Sequence, residues 1–85
     1  MARSRAFASR LDRLEGEALP LAEQAYFAAA EGYRVGKFDL TATLDARRSL
    51  IETRAAVIEA RLALETEMLR LSALIGAAPF EGVSQ

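Results

Sequence analysis

Between Thr41 and Ile75 the chain runs without a glycine or a proline, and its large aliphatic side chains return at every seventh position. Leu44, Ile51 and Ile58 form one row, alternating along the same side with Ala55, Leu62 and Leu69. Leu50, Val57, Leu64 and Leu71 form a second row. A seven-residue return matches two helical turns and no strand period, so this stretch predicts one long helix over 41–75. At 1.5 Å per residue it spans roughly 52 Å. A repeat of seven held that far implies left-handed supercoiling against neighbouring helices. The two rows lie roughly 100° apart, because Leu50 and Ile51 are adjacent on the helix. A simple two-helix hairpin needs one apolar seam. Two rows let the helix pack against a neighbour on each side, as in a bundle or a closed helical barrel. Arg47, Arg54 and Arg61 run between the rows, and Asp45, Glu52 and Glu59 run along the other side.

The first part of the chain supplies the partner. Residues 3–18 are rich in Ala, Leu, Arg and Glu and predict a helix, with Leu11 and Leu14 on an apolar side. Gly16 weakens the end of this run. Pro20 removes a hydrogen bond, so a kink or short break is expected near Leu19-Pro20. The helix resumes over 20–34, with Leu21, Ala25, Ala28 and Ala29 sharing a side. Residues 35–40 break the pattern: Gly36 suits the left-handed conformation that ends a helix, and Asp39 or Thr41 suits the cap of the next. A short link between two long helices makes them antiparallel neighbours. Gly76, with Pro79 three residues on, predicts the end of the long helix, leaving 77–85 as a flexible tail. The expected fold is therefore all-α, a single antiparallel, coiled-coil-like hairpin.

Composition narrows the function. A compact domain of 85 residues buries only roughly 60–65% of its unfolded surface and is marginal without partners. The formal net charge is −1, with 11 basic and 12 acidic residues. That balance points neither to nucleic acid nor to an anionic membrane surface. Cysteine and histidine are absent, which removes disulfides, thiol redox chemistry, the usual zinc ligands and histidine triads. There is no phosphate-cradling glycine loop and no nucleophile elbow. Asp45, Glu52 and Glu59 are two turns apart, roughly 10 Å, too far to share a cation. Neither catalysis nor a cofactor or metal is expected. Arg3, Arg5 and Arg10 at the start have no apolar run behind them, so no secretory signal is read there. No segment reaches the roughly 20 apolar residues of a membrane helix.

From Leu19 to Gly76 the chain resembles the C-terminal part of the TolC-like outer membrane efflux proteins. It is closest to the branch serving heavy-metal and cation pumps of the resistance-nodulation-division type. The resemblance rests on Leu19-Pro20-Leu21-Ala22-Glu23-Gln24-Ala25, on Glu31-Gly32-Tyr33-Arg34-Val35-Gly36-Lys37-Phe38, and on Leu44-Asp45-Ala46-Arg47-Arg48-Ser49-Leu50. It closes with Leu71 to Gly76. The family often has Ala-Gln-Arg where this chain has Ala46-Arg47-Arg48, and two leucines before the Asp where this chain has Thr43-Leu44. Its full chain is several times longer, so the resemblance covers part of one helical hairpin of the two in each subunit.

The resemblance implies a homotrimeric channel of the cell outer membrane, with a long α-helical barrel crossing the periplasm. A periplasmic adaptor protein and an inner-membrane pump are the implied partners. It puts Tyr33 to Leu40 at the periplasmic tip, the entrance of the exit duct, and makes Tyr33 and Asp45 gate candidates. The alternative for these two is that Tyr33 packs on the partner helix and Asp45 is solvated. Val35, Gly36, Lys37 and Phe38 become candidates for the adaptor-contact loop, against the alternative that Phe38 folds back to close the hairpin end. Phe38 stands where some family members carry arginine, which speaks against a gate ion pair centred there. Taken without the resemblance, the two-sided long helix equally suits a self-associating hairpin, such as a homodimeric four-helix bundle.

Overall fold

Pro20 has no N–H to donate, and its ring would press on the carbonyl of Gly16 in a regular helix. In the computed structural model, which describes residues 2–75, the chain passes this point without a break. Helix α1 covers Ala2–Arg13, a π-helical turn covers Leu14–Ala18, and helix α2 covers Leu19–Arg34. The Leu19 N–H reaches back five residues to the Leu14 carbonyl, and the backbone stays right-handed helical on both sides of the turn. The break expected near Leu19-Pro20 does not occur: the chain stays helical and widens into one π turn just before the proline. A π turn inserts one residue into the helix and shifts the side that faces the partner.

The tip is closed by hydrogen bonds from a few backbone groups. Gly36 has φ of 83°, the one positive φ among the described residues. That turn lets Lys37 N–H donate to the Gly32 carbonyl at 2.7 Å and Gly36 N–H to the Tyr33 carbonyl at 3.1 Å. This pair of bonds is the Schellman arrangement, which satisfies carbonyls left over at a helix end. Phe38 N–H adds a bond to the Gly32 carbonyl at 3.2 Å. Asp39, extended at ψ of 173°, caps the next helix: its carboxylate accepts from the Ala42 N–H at 3.2 Å. Helix α3 then runs from Leu40 to Leu74. The stop at Gly76 and the tail 77–85 lie outside the described residues.

The two halves meet along a thin seam. On α3 it carries Leu50, Val57, Leu64 and Leu71, interleaved with Ala46, Thr53, Ala60 and Glu67. Leu50, Val57, Ala60 and Glu67 are buried, and the others half-buried. Facing them are Phe7, Leu11, Ala18, Ala22 and Tyr26, all half-buried, and Ala29, which is buried. Of the four residues expected on one packing side of α2, only Ala29 faces inward; Leu21, Ala25 and Ala28 point to solvent. The inward side follows the small residues Ala18, Ala22 and Ala29, which let the backbones approach. Thr43 Oγ1 locks this register by donating to the Ala29 carbonyl at 3.1 Å. At the far end Arg61 of α3 pairs with Glu15 of the π turn.

The result is a rod of 62 × 28 × 15 Å with a radius of gyration of 19.1 Å, against about 11–12 Å for a compact chain of this length. Among the described residues no large side chain is fully buried. None of these helices is long and apolar enough to cross a membrane.

Candidate functional site

At the tip, Val35, Gly36, Lys37 and Phe38 are all exposed on one turn. Phe38 is half exposed and at the same time folded back. Its ring lies on Gly32, so that a Cβ built there would sit 2.2 Å from Cδ2 and 2.6 Å from Cε2. Gly32 is therefore the seat of the ring, and the ring closes the hairpin end while keeping one face in water. Tyr33 is half exposed and Asp45 is exposed. Neither makes a side-chain hydrogen bond or ion pair to another described residue. Arg34 donates to Glu31 through Nε at 3.1 Å and also through a terminal nitrogen. This hydrogen bond holds the Glu31 carboxyl below its ordinary value and the Arg34 guanidinium above its own.

The second feature is the outer side of α3. Leu44, Ile51, Ile58, Leu62 and Leu69 are each 51–60% exposed, and Ala55 is exposed between them. They lie roughly 150° around the helix from the seam to α1 and α2, at 100° per residue. Arg47 and Arg54 are solvated on one flank of this stripe, where Arg61 reaches across to Glu15. Asp45, Glu52 and Glu59 are solvated on the other flank. Among the described residues no three carboxylates gather at one point.

Of the two rows visible in the sequence, the Leu50 row builds the seam and the Leu44 row stays on the surface. The other half of the seam escapes a search for large apolar side chains. Ala46, Thr53, Ala60 and Glu67 recur at seven, three residues after the Leu50 row or four before it, the spacing of a coiled-coil seam. Ala60, at 2% exposure, is more buried than Leu50 or Val57. The signal was the interval and not the hydrophobicity. Glu67 is tolerated there because Arg70 lies 3.5 Å from its carboxylate.

Tyr26 and Phe27 form a tilted aromatic pair with centroids 6.0 Å apart. With Arg47, Leu50, Ile51 and Arg54 they line a 290 Å³ groove between α2 and α3. Glu23 shares this lining, so one carboxylate and two guanidinium groups border the groove. The exposed aliphatic stripe of α3 offers an apolar surface for lateral packing. Comparison with family models, with curated proteins and with solved structures finds no match to this chain.

Proposed function

We propose that this hairpin is a wall-and-tip segment of the periplasmic helical barrel of a TolC-like outer-membrane efflux channel. It contributes to the exit duct of a tripartite pump of the resistance-nodulation-division type. The observation that supports this is the pairing of two features on one rod. A tightly capped turn exposes Val35 and Phe38, and the returning helix is apolar on both sides. A hairpin in a closed barrel wall needs a neighbour on each flank, and its tip must present a defined loop to whatever docks there. The family resemblance over Leu19–Gly76 supplies the rest. Tyr33 and Asp45, solvated in the single hairpin, are placed to bond across to neighbouring helices in such a wall.

The test is a graft. Residues 19–75 replace the corresponding hairpin of a TolC-like channel in cells that depend on that channel for tolerance to a divalent heavy-metal ion. Tolerance is expected to return. A chimera that reaches the outer membrane as a trimer yet restores no export sinks the proposal.

A second reading is favoured by the same stripe taken alone: the chain is a self-associating hairpin whose outer side is covered by another copy. Sedimentation separates it directly, since a well-folded chain that stays monomeric at high concentration excludes it.

A further inference from the structure

The outer stripe of α3 is nearly palindromic. Reading along it, the positions are Leu44, Arg48, Ile51, Ala55, and then Ile58, Leu62, Glu65, Leu69. The intervals alternate between four and three residues, the spacing of a second coiled-coil seam. Reversed against itself about a point between Ala56 and Val57, the stripe sets Leu44 opposite Leu69, Ile51 opposite Leu62, and Ala55 opposite Ile58. The two charged positions in it, Arg48 and Glu65, fall opposite each other.

We infer that a second copy of this chain covers the stripe, with α3 lying antiparallel on α3 and Arg48 paired to the partner's Glu65. This rests on the second reading above and adds to it a direction, a register and a specifying ion pair. Antiparallel seams match the two kinds of seam position to each other, which is the match the sequence makes. A parallel arrangement would bring Arg48 onto the partner's Arg48 and Glu65 onto the partner's Glu65 inside the seam. Its compensation would be flanking pairs such as Arg47 with the partner's Glu52. Exposed flank pairs are screened and weak, while like charges forced together as water is excluded are costly. The antiparallel arrangement does place Arg54 near the partner's Arg61 and Glu52 near the partner's Glu59. Those groups remain in water, and Arg61 is already held by Glu15.

The surface is large enough. Five aliphatic side chains, each 51–60% exposed, with the stems around them, offer on the order of 500–700 Å² per copy. Two copies would bury about 1,000–1,400 Å², the lower end of specific interfaces. Open concavities sit towards both ends of the stripe, one of 620 Å³ at Leu44, Arg48 and Ile51 and one of 460 Å³ at Glu65, Met68 and Leu69. The reversed register lays each on the other.

The chain has no cysteine, so cross-linking is clean. Leu44→Cys and Leu69→Cys chains are purified separately, mixed and oxidised. The expected product is the mixed disulfide, because each residue 44 lies about 37 Å along the rod from its own copy in this arrangement. In parallel, Arg48→Glu and Glu65→Arg are each expected to weaken dimerisation at least about tenfold by sedimentation. The double swap is expected to restore it, with helicity unchanged in all three. Each single-variant homodisulfide would establish the parallel arrangement and overturn the inference. So would a disulfide from Leu44→Cys to Phe27→Cys, which puts α2 of the other copy on the stripe. A dimer with neither the mixed disulfide nor charge-swap rescue overturns the register but leaves self-association standing. A monomer removes both.

Discussion

Replacing Gly36 by asparagine, alanine or valine tests the turn on which the hairpin depends, and the geometry separates backbone strain from packing. A Cβ at Gly36 meets nothing within 4 Å, while the backbone there holds φ of 83°. Any loss of stability therefore comes from the left-handed conformation alone, which costs an L-residue about 1–2 kcal/mol. Alanine recovers part of this, about 0.4–1 kcal/mol, by narrowing the unfolded ensemble. The net for Gly36→Ala is about 1 kcal/mol. Valine adds the stiffness of a β-branched side chain, taking Gly36→Val to about 2 kcal/mol. Asparagine visits the left-handed region most easily among the three, so Gly36→Asn falls below alanine. For a chain of this size each kcal/mol moves the melting midpoint by about 4–8 °C. Melting followed by far-ultraviolet circular dichroism at one fixed protein concentration gives the order glycine, asparagine, alanine, valine from most to least stable. Fixed concentration matters because self-association raises apparent stability by mass action. Equal midpoints for glycine and valine, or asparagine below valine, would refute the assignment of a strained turn.

Three further outcomes are expected. Gly32→Ala is destabilising in the native chain, where the new methyl meets the Phe38 ring at 2.2 Å, but stabilising by up to about 1 kcal/mol in a Phe38→Ala background, where the ring is gone and helix propensity favours alanine; a double-mutant melting cycle reads the change of sign. Leu50→Ala, at a seam position 6% exposed, costs about 2–4 kcal/mol of unfolding free energy in urea titration, whereas Ile51→Ala, 52% exposed, leaves monomer stability nearly unchanged and weakens self-association instead. Arg34→Gln raises the titration midpoint of Glu31 towards its ordinary value of 4.5, seen by carboxyl NMR. Because the native pair holds that midpoint down, its contribution is present above the unfolded value and is lost as pH falls through the depressed one. Both groups are fully exposed, so melting at neutral pH is expected to be insensitive to the change.

Much of the tip could be read from residue types whose roles are local. Gly36 in the left-handed turn and a cap at Asp39 or Thr41 follow from the backbone needs of one residue and its near neighbours, and the structure puts the cap on Asp39. The seat of Phe38 on Gly32 did not follow, because nothing in the interval of six residues says which way the ring turns. Pro20 announced a disturbance, but whether the chain would bend, break or widen into a π turn depended on the partner helix. Glu15 reaches Arg61 from within that turn, and the seam continues on both sides of it.

By itself the sequence determined that the chain is helical, where it reverses, and that its long helix is apolar on two sides. Those properties come from the period of the side chains and the conformational limits of glycine, proline and capping residues, all of them local. Which apolar row lies inside was decided only by the tertiary structure. Close approach of two backbones favours small residues, so the seam runs through Ala60, Ala46 and Ala29 and takes the Leu50 row beside them, leaving the Leu44 row outside. Burial in a two-helix rod is a choice between sides made by fit across the seam, and fit is a property of the pair.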